Sequence, residues 1–146
     1  MNMTDLQALY DLANAESISV YEFPLSENGS VSVRYDGRCY IGIDRTQIKN
    51  TADEAVHMAH ELGHCMTGSF YNPYTVLDER SRHEYRANAW AIKRLCPLEK
   101  VRDAYHEGCR EVWEFAEYLN ITCDFAEKVM IFYKDIVIDT PNTNND

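Results

Sequence analysis

The stretch His60-Glu61-Leu62-Gly63-His64 constrains this 146-residue chain more than any other. On an α-helix, side chains four positions apart lie on one face, so the two imidazoles can bind the same metal ion. Glu61 lies about 100° round the same turn, where it can reach a metal-bound water without binding the ion itself. The motif therefore predicts a zinc site with His60 and His64 as ligands and Glu61 as the general base.

The flanking sequence predicts that this motif lies inside a helix. Thr51-Ala52-Asp53-Glu54 has the form of a capping box with Thr51 as the N-cap, and Gly68 stands where a residue with positive φ would end the helix. The apolar residues between them are spaced as a helical stripe. Gly63 costs a helix about 1 kcal/mol relative to alanine. Its presence indicates that a strand or a substrate backbone packs closely against this position.

A catalytic zinc ion usually has three protein ligands and one bound water. Glu84 is the best candidate for the third ligand, because it lies in a segment of helical propensity that runs from about Leu77 to Leu95 and is stopped by Pro97. Asn88 lies one turn after Glu84 and shares its face. Its carboxamide can accept the second N–H group of a metal-bound histidine, which orients the ring.

Other residues near the motif have more than one interpretation. His57 either leans into the cleft, binds metal at an alternative site or, as we favour, is a partly exposed helix residue. Cys65 points away from the ligand face and is expected in the core. A donor to the oxyanion of amide hydrolysis has to lie about 3 Å from the developing charge. The sequence leaves four candidates for that donor, which are Tyr71, Tyr74, His83 and Arg86.

The two motif segments resemble those of the ImmA/IrrE-type metallopeptidases, a family common in prophages and other mobile elements. The similarity is carried by Ala59-His60-Glu61-Leu62-Gly63-His64, by Glu84-x-x-Ala87-Asn88-x-Trp90-Ala91 and by Leu95-x-Pro97, and it spans most of residues 5–133. Phenylalanine is commoner at the position of Trp90, and methionine at that of Cys96. The resemblance implies zinc on His60, His64 and Glu84, with Glu61 as base. It also implies a protein substrate, a helix-turn-helix repressor encoded nearby on a mobile element.

The remaining sequence predicts an α+β fold. Residues 3–14 have helical spacing, and a strand begins at Ile18 and ends at Pro24. Alternating apolar residues on either side of Asp36-Gly37 predict a hairpin, and three helical stretches follow Pro97, at about residues 98–107, 109–119 and 122–133.

Together with the resemblance, this order predicts a minimal zincin-like domain. It consists of an N-terminal helix, a small antiparallel sheet, the helix of the His60–His64 motif, the helix of Glu84 and the C-terminal helices. By analogy with the family, an edge strand of the sheet would line the cleft and pair with an extended substrate. We expect a single domain over residues 1–138 and a polar, disordered tail over residues 139–146.

Glu111 to Tyr133 has the pattern of a helix-turn-helix, with a turn at Asn120-Ile121-Thr122. Its apolar positions are Trp113, Ala116, Leu119, Phe125, Val129 and Phe132. The segment either binds DNA or a partner, or simply packs these side chains in the domain. Its acidic residues would repel phosphates, which favours packing. These acidic residues are Glu111, Glu114, Glu117, Asp124 and Glu127.

Composition narrows the classes of function further. The formal net charge of −10 argues against direct nucleic-acid binding. The five cysteines are odd in number and scattered, which predicts reduced thiols rather than a disulfide framework. The sequence has no transmembrane run and no signal-peptide pattern, so we expect a cytoplasmic protein without membrane partners.

Two functions from different classes fit these observations. The first is a zinc-dependent peptidase that hydrolyses a protein substrate. The alternative is a non-catalytic zinc-containing protein that binds and sequesters a regulatory partner. An intact Glu61 favours the peptidase, because a structural zinc ion needs no base beside its water. Two imidazoles and a carboxylate also suit manganese or iron, so the donor set alone does not select zinc.

Overall fold

The computed structural model describes residues 2–72 and 74–136. Within them it has six helices and three strands, which confirms the α+β prediction. In chain order these are α1 (Asn2–Ala15), β1 (Ser19–Glu22), β2 (Ser30–Tyr35), β3 (Arg38–Ile43), α2 (Thr51–Thr67), α3 (Leu77–Leu95), α4 (Leu98–His106), α5 (Val112–Leu119) and α6 (Cys123–Phe132), with a 3-10 turn at Arg45–Gln47. No helix in the described part of the chain is long and apolar enough to cross a membrane.

The chain divides into two compact units, Met1–Leu95 and Cys96–Asp146. The single domain expected over residues 1–138 stays a prediction. The tail expected over residues 139–146 lies outside the described residues. The first unit contains α1 to α3 and the sheet, and the second contains α4 to α6.

The sheet has the strand order β1-β3-β2 and is mixed. β2 and β3 form the predicted antiparallel hairpin, and Asp36 and Gly37 at its turn both have positive φ, as a two-residue hairpin loop requires. β1 pairs with β3 in parallel, so the prediction of an antiparallel sheet is wrong for this strand. The reason is topological, because residues 23–29 carry the chain past β3 before the hairpin begins. Both β1 and β2 are therefore edge strands of this sheet.

Helix α2 packs against α1, α3 and the inner face of the sheet. Its fully buried Met58 and Leu62 belong to the same core as Ile41 and Ile43 of β3. A Cβ atom added to Gly63 would lie 2.9 Å from Ala87 Cα, and closer still to the Ala87 carbonyl oxygen. The prediction of a close approach at Gly63 is thus confirmed, but the neighbour is helix α3 rather than a strand or a substrate.

The C-terminal end of α2 agrees with the prediction, whereas the N-terminal end does not. Gly68 caps the C-terminus with φ 66°, as expected. At the N-terminus the cap is Asn50, whose side chain accepts the Asp53 N–H at 2.9 Å, so the capping box of Thr51 and Glu54 is wrong. Glu54 instead turns inward, because it accepts a hydrogen bond from the Tyr10 hydroxyl at 2.5 Å and one from Arg45 at 2.8 Å.

A disulfide joins Cys39 of β3 to Cys65 of α2. The expectation of reduced thiols is wrong for this pair, whereas Cys96, Cys109 and Cys123 are thiols. The two bonded residues are 26 positions apart in sequence, and their Cα atoms come within 5.9 Å, a distance usual for disulfides. Only the packing of β3 on α2 brings them together, and no local pattern reveals that packing.

In the second unit, α5 and α6 form a packed helix pair. Asn120 ends α5 in the left-handed conformation, and the Thr122 side chain caps α6 by accepting the Phe125 N–H at 3.2 Å. The side chains that the pair buries are Phe115, Ala116, Leu119, Phe125, Ala126 and Val129. Trp113 was predicted among the buried positions, but it is 58% exposed because Phe115 occupies the inner position. The burial pattern supports the packing interpretation of this segment.

Candidate metal centre

Helices α2 and α3 bring His60, His64 and Glu84 together. One ligand atom from each of the three lies within 4.8 Å of the others. The two Nε2 atoms are 3.2 Å apart, and the Glu84 carboxylate oxygens lie 3.2 Å from His60 Nε2 and 3.0 Å from His64 Nε2. Helical periodicity pairs the histidines, and the close approach of Gly63 to Ala87, one turn after Glu84, carries the carboxylate to them.

The hydrogen bonds of the two rings fix which nitrogens are available to a metal. His64 Nδ1 donates to the Ser69 carbonyl at 2.5 Å, and a carbonyl can only accept, so His64 Nε2 has the lone pair in the neutral ring. His60 Nδ1 lies 2.8 Å from Asn88 Oδ1, which imposes the same arrangement. Two Nε2 lone pairs and a carboxylate that converge on one point fit a divalent cation well, because they would repel one another without a positive charge between them.

Glu61 lies beside this group and is not one of its three members. It is 6% exposed, and its Oε2 atom accepts a hydrogen bond from Ser30 Oγ at 2.8 Å. Ser30 is the first residue of edge strand β2. A buried carboxylate next to three convergent metal donors can serve as a base toward a water held among them.

The model of the IrrE N-terminal-like domain, peptidase family M78, matches residues 13–130. The chain belongs to this family. The match confirms the resemblance stated from the sequence and indicates a metallopeptidase-type domain. No curated protein and no solved structure matches the chain.

Electrostatics keep Glu84 of this M78 domain ionised. When the rings are protonated, His60 and His64 also donate from Nε2 to Glu84, and these hydrogen bonds hold the pKa of Glu84 far below its ordinary range, although burial acts in the opposite direction. Burial alone would lower the pKa of His64, but the hydrogen bonds to Glu84 and Ser69 outweigh it and raise that pKa. The carboxylate is therefore anionic at neutral pH, the form in which it can bind a cation.

Tyr71 is the one of the four oxyanion candidates whose polar group reaches the three residues. Its hydroxyl donates to Glu84 Oε2 at 3.0 Å. Partial burial and the Glu84 carboxylate raise the pKa of Tyr71, so its phenol stays protonated and can donate. His83 stacks on the Tyr71 ring at 6.1 Å, whereas Tyr74 and Arg86 are exposed.

Sequence reasoning missed two contributors to the site. Ser69 acts through its backbone carbonyl, for which residue type carries no signal. Ser30 is remote in sequence from the motif, and only strand pairing places it against Glu61. His57 is a partly exposed helix residue, the interpretation that we favour from the sequence. It lies outside the group of metal donors found in the described residues. Its hydrogen bond with Ser30 was not predicted.

Proposed function

We propose that this protein is a zinc-dependent peptidase that hydrolyses a protein substrate. The observation that carries the proposal is the convergence of two oriented Nε2 lone pairs and the Glu84 carboxylate, with the buried Glu61 carboxylate alongside. A purely structural zinc site usually has four protein ligands and needs no base. Three donors and an adjacent carboxylate match a hydrolytic site better.

The roles of the residues follow from their positions. His60, His64 and Glu84 would hold zinc, which when bound polarises the scissile carbonyl and makes a water more acidic. Glu61 takes the proton of the attacking water and delivers it to the leaving amine. Asn88 keeps the His60 ring in the tautomer that presents Nε2. Tyr71, by turning its hydroxyl away from Glu84, donates to the oxyanion that develops on the substrate.

Edge strand β2 is the proposed substrate-binding element. In this sheet β2 pairs with β3 on one side, and its first residue contacts Glu61. An extended peptide that adds to the other side of β2 would therefore run past the base. This geometry requires an unfolded or locally unfolded segment in the substrate.

We propose further, from the character of the family, that the substrate is a helix-turn-helix repressor encoded on a prophage or another mobile element, and that the protein acts in the cytoplasm. Incubation with repressors encoded beside its gene, followed by mass spectrometry of the products, tests this assignment. A defined cleavage product that Glu61→Gln does not generate is expected. A repressor that is captured intact, without fragments, would instead support the alternative in which the protein sequesters its partner.

The metal content of four purified proteins tests the site itself. We expect about one zinc per chain in the wild type and in Glu61→Gln, and none in His60→Ala or Glu84→Ala. Glu61→Gln is the matched control, since it changes the site without removing a ligand. Hydrolysis by Glu61→Gln should fall by about 10²- to 10⁴-fold. Folded wild-type protein that binds no metal after zinc is added, or Glu61→Gln that cleaves at the wild-type rate, would overturn the proposal.

A further inference from the structure

Ser30 links the proposed base to His57, a third histidine of α2 that lies outside the metal donors. Its Oγ atom lies 2.8 Å from Glu61 Oε2 and 2.6 Å from His57 Nδ1. Ser30 is 5% exposed and Glu61 is 6% exposed, so water does not readily replace the contact between these two side chains. His57 Nε2 lies 3.6 Å from Asp53 Oδ1, one turn earlier on α2. Hydrogen bonds therefore connect three side chains, from the partly exposed His57 through Ser30 to the base Glu61.

The backbone around Ser30 is shaped to the His57 ring. A Cβ atom added to Gly29 would lie 3.1 Å from His57 Cε1 and 3.2 Å from His57 Nε2, which is tighter than an ordinary contact. The glycine therefore lets the start of β2 pass close over the imidazole. His57 is held against Ser30 by packing as well as by the hydrogen bond.

The direction of these hydrogen bonds follows from counting protons. A serine hydroxyl has one proton to donate, and an ionised carboxylate can only accept. If Glu61 is the ionised base, Ser30 must donate its proton to Glu61 Oε2. The Ser30 oxygen then has to accept a proton from His57, so His57 Nδ1 must carry hydrogen. The opposite direction, Ser30 donating to His57, would require Glu61 to be protonated and unable to act as a base.

We propose that Ser30 and His57 are positioning residues for Glu61, an inference that rests on the proposed peptidase function. His57 Nδ1–H donates to Ser30 Oγ, and Ser30 Oγ–H donates to Glu61 Oε2. This arrangement holds the carboxylate in its accepting form and leaves Oε1 to take the proton of the attacking water. Asp53 Oδ1, 3.6 Å from His57 Nε2, lies beyond hydrogen-bond distance and is not part of this hydrogen-bonded chain.

The tautomer of His57 tests the chain without any substrate. Long-range ¹H–¹⁵N correlation spectra of the zinc-loaded protein at about pH 8, where an ordinary imidazole is neutral, distinguish Nδ1–H from Nε2–H. We expect His57 of the wild type in the Nδ1–H form and a shift toward Nε2–H in Ser30→Ala, where the acceptor of the Nδ1 proton is gone. Ser32→Ala, the same change one inward-facing position along β2, should leave the tautomer unchanged. A wild-type His57 in the Nε2–H form would overturn the proposal.

Hydrolysis of fluorescein-labelled casein, an unfolded protein, tests the consequence. Because a hydrogen bond to a charged group contributes about 1.5–3 kcal/mol, Ser30→Ala should lower kcat by about 10- to 100-fold with little change in KM and with full zinc content. Ser30→Thr keeps the hydroxyl and should restore most of the rate, and Ser26→Ala, which removes an exposed hydroxyl from the loop before β2, should match the wild type. Wild-type cleavage with equal kcat in Ser30→Ala would refute the positioning role. Absence of cleavage by the wild type would count against the peptidase function, and the tautomer would still decide the chain separately.

Discussion

Helix α2 and the helix pair α5–α6 are built on the same amphipathic principle but bury different side chains. The inner sides of α5 and α6 are apolar throughout. Helix α2 buries Glu54, Glu61 and His64 beside its apolar residues. Each of the three has a hydrogen-bond partner, because an unpaired polar group in a protein interior costs several kcal/mol.

This difference distinguishes α2, which carries residues of the candidate site, from α5 and α6, which only pack. Three of the four acidic residues of α5 and α6 are exposed, where a charge costs little, namely Glu117, Asp124 and Glu127. Glu61 is buried at greater cost, and its cost is offset by Ser30 from another element. A buried carboxylate beside the three metal donors therefore marks the site, whereas a buried and paired carboxylate elsewhere on α2, such as Glu54, does not.

The largest expected effect comes from removing the Cys39–Cys65 disulfide of the first unit and comparing it with the loss of a thiol in the second unit. A closed loop of 26 residues between Cys39 and Cys65 stabilises the native state by about 3.5 kcal/mol in the chain-entropy estimate. Cys39→Ser or Cys65→Ser should lower the free energy of unfolding by roughly that amount in urea denaturation. Cys123→Ser, which removes an exposed thiol in the second unit, is the control and should have little effect. Equal stability of all these variants would show that the covalent link contributes nothing.

Gly63→Ala should destabilise the protein by about 1–3 kcal/mol, because the added methyl group overlaps the Ala87 backbone. It should also weaken zinc binding, since α3 carries Glu84. Helix propensity by itself predicts the opposite sign, a gain of about 1 kcal/mol. Ala116→Gly in α5 is the counterpart, and there propensity and packing agree on a loss. Thermal unfolding with and without zinc measures both, and a stabilised Gly63→Ala would contradict the close helix contact.

The free energy of unfolding should decrease at acid pH, because Asp44 in the first unit and Glu114 in the second become protonated and lose their hydrogen bonds as carboxylates. Hydrogen bonds from the Leu25 N–H, Thr46 and Gln47 lower the pKa of Asp44 well below its ordinary 3.8, and those from the Glu111 and Arg110 N–H groups lower the pKa of Glu114. A lowered folded-state pKa adds stability above the ordinary value, and this stability is lost as the pH falls through the folded-state pKa.

Unfolding midpoints between about pH 6 and pH 2 measure this acid branch. Asp44→Asn should reduce the pH dependence of the unfolding midpoint more than Glu114→Gln does, because the Asp44 carboxylate accepts more hydrogen bonds. An acid branch unchanged in Asp44→Asn would contradict the assignment.

The smallest effect is expected at the exposed acids of the helix pair. Glu117→Gln and Glu127→Gln should change the free energy of unfolding by less than about 0.5 kcal/mol and leave zinc content unaltered. Glu54→Gln on α2 is the matched comparison, and it should destabilise the first unit because Arg45 loses a charged partner. If the substitutions at the exposed and the buried glutamates cost the same, the contrast between the helices would fail.

Much of the first unit was predictable because its signals are local. The ends of α3 and the Gly68 cap of α2 follow from propensity, capping and Pro97, all of which act within a few residues. The α5–α6 turn follows from Asn120 and Thr122 in the same way. The prediction that Trp113 is buried is wrong because Phe115, two residues later, is buried instead. Apolar spacing alone does not indicate which of the two faces inward.

The sequence by itself determined the helices, the hairpin and the pairing of His60 with His64, since residues one turn apart on a helix are neighbours whatever surrounds them. Tertiary structure alone decided the parallel pairing of β1, the Cys39–Cys65 bond and the contact of Ser30 with Glu61. Each of these joins groups on different elements, and their distance depends on how whole elements pack. Local interactions specify the elements, whereas the burial of the shared core sets their relative positions.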